Sequence, residues 1–220
     1  MTIIDPNAKP DAEGQPGTTI GKTHRWIFGL VALLLLAVGA LIIVQPNISG
    51  DKAAQKDATS GFGSGFTMTD QNGHTVTDQT LSGKPYAIFF GFTRCPDVCP
   101  TTLSHMAQLR KQLGADGSKM NIVFVSVDPK YDTKESIRDY LTLFNTPIIG
   151  LTGTDEQIAR IVKAFGVYYQ KVPVDGGDYT IDHTASIFLM DRHGKFVTTI
   201  DHQETQESAL GKMRDLIGRS

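Results

Sequence analysis

The stretch that most constrains this chain runs from Tyr86 to Leu113. Tyr86–Phe90 is an unbroken apolar run of strand length. The residues Gly91-Phe92-Thr93-Arg94-Cys95-Pro96-Asp97-Val98-Cys99-Pro100 follow, and they hold both cysteines of the protein. Leu103, Met106, Leu109 and Leu113 then recur at helical spacing. The segment reads as a buried strand, a tight loop and an amphipathic helix. Cys99 falls at or next to the N-cap, and Pro100 at the first helical position, where a missing N–H costs nothing. A thiol at a helix start faces unpaired N–H groups and a partial positive charge, which favour the thiolate. The plainer alternative is an inert structural disulfide or a pair of core thiols.

Upstream, residues 1–25 have the polar, Pro- and Gly-containing composition of a disordered leader. They are not Arg-rich and acid-poor, which argues against a mitochondrial transit peptide. Residues 26–44, Trp26 to Val44, read as a transmembrane anchor. The part from Ile27 onward carries no charge and would span roughly 27 Å as a helix, close to the thickness of a bilayer core. Lys22, His24 and Arg25 precede it, whereas after it Asp51 offsets Lys52. The positive-inside rule therefore puts the leader in the cytoplasm and the rest of the chain across the membrane. A signal peptide cleaved near Ala37-Val38-Gly39-Ala40 is the competing reading, but the apolar run continues past that point to Val44. Either way the C-terminal part is exported to a compartment where thiols can be oxidised. Residues 45–65 read as a flexible linker.

Residues 66–220 are long enough for one sizeable core. A net charge of −2, with both signs scattered and no basic stripe, argues against nucleic acid as a partner. Phe66–Asp70 and Thr75–Thr77 flank the hairpin signal Asn72-Gly73. Asn121–Val127 reads as a strand buried on both faces. Asp132 with Glu135, and Thr154 with Gln157, read as capping boxes opening two helices. Ile148–Leu151 and Val167–Val172 read as strands, and Pro173–Tyr179 as a polar loop. Thr184–Met190 and Lys195–Ile200 read as an antiparallel pair, followed by a helix carrying Ala209, Leu210, Met213, Leu216 and Ile217. Alternating strands and helices imply a mainly parallel sheet covered on both faces. With a dithiol at the first strand–helix junction, the fold class is α/β: a thioredoxin-like mixed sheet with flanking helices, preceded by one transmembrane helix.

The cysteine spacing is C-x-x-x-C, one residue longer than is usual for that fold. Such a dithiol could exchange disulfides or hold a soft metal. A metal needs a further ligand, and the chain has six histidines. His24 lies at the membrane, His74 and His193 at turns, His105 off the cysteine face of its helix, and His202 beyond the last strand. His183, beside Asp182, stands at the start of the Thr184–Met190 strand, and in a thioredoxin-like sheet the loop before that strand faces the dithiol. The alternative for His183 is a capping or surface histidine.

Residues 91–100, Val125-Ser126-Val127-Asp128-Pro129 with Asp132-Thr133, Leu151-Thr152-Gly153-Thr154 and Asp182-His183-Thr184-Ala185-Ser186 resemble, in order, the landmarks of the Sco/SenC family. The resemblance spans nearly the whole exported domain. It implies a thioredoxin-like protein that binds one copper ion, Cu(I) or Cu(II), through Cys95, Cys99 and His183. It also implies a role in assembling the binuclear copper centre of cytochrome c oxidase. The implied partners are the copper-accepting oxidase subunit and an upstream copper donor. The implied location is the bacterial inner membrane, single-pass, with the C-terminal domain in the periplasm. On this reading the chain is a metallochaperone rather than an enzyme. The alternatives are a thiol:disulfide reductase or redox sensor using Cys95 and Cys99, and a structural zinc site, which two Cys and one His leave one ligand short.

Asp97, between the cysteines, could tune their charge or be solvated. Asp128 could touch a partner or serve only in the turn with Pro129. Asp182 is a further candidate beside His183. The scattered methionines, Met106, Met190 and Met213 among them, and the rings of Phe89, Phe90 and Phe92 read as packing.

Overall fold

The structure is a computed structural model and describes residues 61–219. The leader and the Trp26–Val44 anchor expected from the sequence lie outside the described residues, and among the described residues no helix is long and apolar enough to cross a membrane.

The chain forms β1 (Thr67–Asp70), β2 (Thr75–Thr77), α1 (Asp78–Leu81), β3 (Tyr86–Gly91), α2 (Val98–Gln112), β4 (Asn121–Ser126), α3 (Lys134–Thr142) and β5 (Ile149–Thr152). It continues with α4 (Asp155–Phe165), β6 (Tyr169–Pro173), β7 (Tyr179–His183), β8 (Ile187–Met190), β9 (Phe196–Ile200) and α5 (Gln206–Gly218). Seven strands make one sheet in the order β2-β1-β5-β4-β3-β8-β9. β3, β4 and β5 are parallel, β1 and β8 flank them antiparallel, and β9 closes one edge. β6 and β7 pair only with each other, as a separate hairpin.

β3 is buried along its whole length, as its apolar run requires of a central strand. Successive side chains alternate faces. Phe90 packs towards Phe165 of α4. Phe89 packs towards Phe124, which in turn meets Tyr140 of α3. Helices therefore cover both faces of the sheet, as the alternation of elements implies. Packing begins inside the stretch read as linker: Phe62 lies against Phe165, Phe188 and Phe196, and the Gly63 N–H donates to the Ala164 carbonyl at 2.9 Å.

Several local expectations hold. The Thr154–Gln157 capping box opens α4, and Gly166, at φ 61°, stops it in the left-handed conformation that glycine adopts without strain. Others are corrected. The cap of α3 is Thr133, whose hydroxyl accepts from the Ser136 N–H; Asp132 lies one residue earlier and turns its carboxylate inwards. Pro100 is the third residue of α2, not the first. The first α-helical bond there runs from Thr101 N to Asp97 O, so Pro100 still falls where an N–H would have no helical acceptor. Tyr179–His183, expected as loop and lead-in, is a strand, and β8 starts only at Ile187. The strand expected at Val167–Val172 is β6, but β7 has few buried side chains and carries no strong apolar alternation for a sequence reading to detect.

Candidate metal centre

The dithiol loop leaves β3 at Gly91 and enters α2 at Val98. It is held from below by two carboxylates of the turn after β4. Asp132 is buried and accepts from the Thr93 N–H at 2.9 Å, the Thr93 hydroxyl at 2.6 Å and the Ser126 hydroxyl at 2.6 Å. Burial pushes the Asp132 carboxyl up, while these hydrogen bonds pull the other way. Asp128 is fully buried. It accepts from Arg94 Nη2 at 3.2 Å and from the Tyr179 hydroxyl at 2.6 Å. Its contacts are thus internal, which leaves it no face for a partner.

The two cysteines have different surroundings. Cys99 is the second residue of α2 and has no solvent exposure; Cys95 is half-buried on the loop, and both are free thiols. The helix start acts on Cys95 rather than on Cys99, because the Cys99 N–H points at Cys95 Sγ at 3.4 Å. A hydrogen bond from the Cys99 thiol lowers the Cys95 pKa most, and His183 and the N–H groups of Cys99 and Asp97 add to it. Against opposing desolvation, Cys95 is brought down to about 4. Cys99 moves the other way: holding its proton towards the Cys95 sulfur, in a buried place, pushes its thiol up. The sequence expectation of a low-pKa thiol at the helix start is met, but by the other cysteine.

His183 ends β7 rather than starting β8. Its Nε2 is 3.4 Å from Cys99 Sγ, and its Nδ1 is 3.0 Å from the Thr184 carbonyl oxygen. A carbonyl only accepts, so Nδ1 carries a proton, and Nε2 is the ring nitrogen that faces the sulfurs. The rings of Phe89 and Phe92 meet the imidazole edge-on at 5.9 and 6.0 Å. The donor atoms of Cys95, Cys99 and His183 all lie within 4.8 Å of one another, forming the one such metal-ligand group among the described residues. In a trigonal site with bonds of about 2.0–2.3 Å, donors stand about 3.5–4 Å apart, so the triad could close on an ion with little movement. Gly91 makes room for it, since a Cβ there would stand 2.7 Å from Cys99 Sγ.

The remaining candidates fall elsewhere. Asp97 is exposed, its carboxylate accepting from the Thr101 hydroxyl at 3.3 Å. Asp182 is exposed on β7, outside the donor triad. His74 bonds Asp70, His193 sits in its turn beside Arg192, and His202 meets Thr102. Met106, Met190, Met213, Phe89, Phe90 and Phe92 are core. Arg94, Tyr131 and Tyr179, which border the site, are not singled out by sequence; the available signal is a lone cation in an otherwise uncharged lead into Cys95.

A model of the SCO1/SenC family matches residues 54–218. Protein SCO2, mitochondrial, of Saccharomyces cerevisiae is 34% identical over 210 residues, 91% of this chain and 69% of that protein. The structure of Bradyrhizobium japonicum ScoI with copper bound is 45% identical with a TM-score of 0.66, covering 70% of this chain and 99% of that one. BsSco, described as having a disulfide switch and as a member of the Sco family of cytochrome c oxidase assembly proteins, is 25% identical with a TM-score of 0.54, covering 70% of this chain and 92% of its own. The mixed sheet with its flanking helices is accordingly the thioredoxin-like fold.

Proposed function

The chain belongs to the SCO1/SenC family, and from that premise we propose that it is a membrane-tethered copper chaperone for the binuclear copper centre of cytochrome c oxidase. Copper is its cargo. Cys95 and Cys99 supply sulfur and His183 supplies nitrogen. Residues 26–44 anchor it in the bacterial inner membrane, with the domain in the periplasm, close to a membrane-embedded client.

One observation carries this reading: two thiols and an imidazole whose Nε2 faces them converge within 4.8 Å beside a helix start. Thiolates suit soft Cu(I), and imidazole suits both copper states. Cys95 is the ligand best prepared to bind, because its thiolate forms without a metal to displace the proton. It is also the more accessible sulfur, so an incoming thiolate of the oxidase subunit, or of an upstream copper donor, meets it first. Cys99 must lose a tightly held proton to ligate, which couples loading to proton release. A Cys95–Cys99 disulfide leaves no thiolate for copper.

A second reading, thiol:disulfide reduction of the client's cysteines, is favoured by the same asymmetry. An accessible thiolate at Cys95 with a buried thiol at Cys99 is a nucleophile with a resolving partner. Titration of the reduced full chain in detergent with Cu(I) and Cu(II) separates the two. One tight ion per chain, lost in Cys95→Ser and on oxidation, supports the chaperone. No tight copper, with rapid reduction of a client disulfide, overturns it in favour of the reductase.

A further inference from the structure

His183 reaches the dithiol from a hairpin that belongs to neither edge of the main sheet. β6 and β7 pair from Tyr169↔His183 to Pro173↔Tyr179, and the hairpin base closes on itself through Thr184 N to Tyr168 O at 3.0 Å. Something other than sheet pairing must therefore fix it over Cys95 and Cys99.

Arg94, the residue before Cys95, makes that connection. Its Nη1 donates to Asp178 Oδ2 at 2.9 Å, at the start of the hairpin's second arm. Its Nη2 donates to Asp128 Oδ2 at 3.2 Å, and Asp128 Oδ1 in turn accepts from the Tyr179 hydroxyl at 2.6 Å. The guanidinium carbon lies 3.7 Å from the Tyr131 ring centre, and the Tyr131 hydroxyl donates to Asp178 Oδ1 at 3.2 Å. One planar fork thus ties together the dithiol loop, the turn after β4 and the hairpin that carries His183. Asp128 has no solvent exposure, so water competes weakly for the bonds to it, whereas Asp178, 44% exposed, is the solvated end of the fork.

We propose that Arg94 is a positioning residue: its guanidinium latches the β6–β7 hairpin to the dithiol loop, so that His183 meets the two sulfurs already placed. The metal consequence rests on the copper reading above; the latch itself does not. With the latch made, the imidazole need not be gathered from solution when copper arrives. With it broken, the two thiolates stay together on their own loop and helix, while the histidine becomes a ligand that comes and goes. The latch therefore acts on Cu(II), which needs the imidazole, more than on Cu(I), which two thiolates serve.

The test uses the full chain, reduced and metal-free, with Arg94→Gln and, in case that variant folds poorly around Asp128, Asp178→Asn. Amide hydrogen exchange reads the latch directly. We expect Gln170, Val172, Thr180 and Asp182, whose pairs alternate in register with the bonded Tyr168/Thr184 and Val174/Asp178 pairs and so carry the ladder N–H bonds, to exchange about tenfold faster or more in either variant, the scale of one lost charge-assisted bond, with Ile88 and Val123 in the central strands unchanged. Arg94→Lys, which keeps the charge but loses the fork, should rescue only in part. Equal protection of the hairpin in wild type and both variants overturns the proposal. A second arm follows copper capture by a chelator. Cu(II) release should quicken about tenfold and Cu(I) release change less than about threefold, because only the former depends on a preplaced imidazole. Loosened hairpin amides with unchanged Cu(II) release overturn the link to the metal. Failure of the wild type to hold copper would sink the chaperone reading, while the exchange arm would still decide the latch.

Discussion

A Cβ on Gly91 would come within 2.7 Å of Cys99 Sγ, with the Phe89 and Phe124 rings at 3.1 and 3.2 Å closing the other sides. The last residue of β3 is thus the floor on which the buried sulfur rests. Gly91→Ala should push Cys99 away from His183 while leaving Cys95 on its loop. The expected result is a loss of about 1–3 kcal/mol in urea unfolding, from overpacking a closed core. Copper affinity should fall at least about tenfold, a modest share of the binding energy of a metal held by several ligands. Unchanged copper affinity would mean that the floor yields and the sulfur stays in place.

The unequal thiols predict a pH profile. An ordinary thiol loses its thiolate as pH falls below about 8.5. Cys95, brought down to about 4 chiefly by the Cys99 thiol, keeps its thiolate until pH falls through that value. Carboxamidomethylation of the reduced protein should therefore label Cys95 at a nearly constant rate from pH 8 to pH 5. Cys99, whose thiol is pushed up, should stay unlabelled while the fold holds. Mass mapping checks this. Equal labelling of the two cysteines, or a Cys95 rate that drops tenfold per pH unit below 8, would contradict it.

Asp132 should matter to the loop without touching metal. Removing its carboxylate in Asp132→Ala orphans the Thr93 N–H and the Thr93 and Ser126 hydroxyls. Each buried group left unpaired costs about 1–3 kcal/mol, so a total loss of about 3 kcal/mol or more is expected in denaturant unfolding. A loss below about 1 kcal/mol would mean that water replaces the carboxylate.

His183→Ala should separate the two chemistries of the site. The dithiol should still oxidise and reduce, because Cys95 and Cys99 sit on their own loop and helix. Cu(II) binding, followed by sulfur-to-copper absorption, should weaken by at least about a hundredfold with a metal bond lost. An unchanged Cu(II) spectrum would assign the nitrogen ligand elsewhere.

Thr154→Ala is the control. Its hydroxyl caps α4 by accepting from the Gln157 N–H, away from the donor triad. Stability should fall by about 1 kcal/mol, while copper titration and Cys95 labelling stay as in the wild type. A change in either would show that α4 is coupled to the site.

The central strands, the order of helices and strands and the positions of the two cysteines follow from periodicity, because a fully buried strand such as Tyr86–Phe90 can be built only from apolar residues. His183 is legible as a candidate for a similar reason: few side chains can complete a two-thiol site. Of the β6–β7 hairpin only the first strand is legible, as Val167–Val172; β7 and the pairing are not, since most of these side chains are solvent-accessible and the alternation is weak. Asp132 carries the local signature of a cap, which conceals a tertiary role. Its carboxylate is taken by Thr93, far away in the chain, and the cap passes to Thr133.

Local sequence thus determined the central strands, the longer helices and which chemistry the C-x-x-x-C loop could support. Tertiary structure decided which cysteine ionises and what holds the histidine. Ionisation depends on burial and on which donors point at a sulfur, and both are set by how α2 seats on β3. The placing of His183 depends on bonds among residues 94, 128, 131, 178 and 179, brought together by the sheet and not by their spacing in the chain.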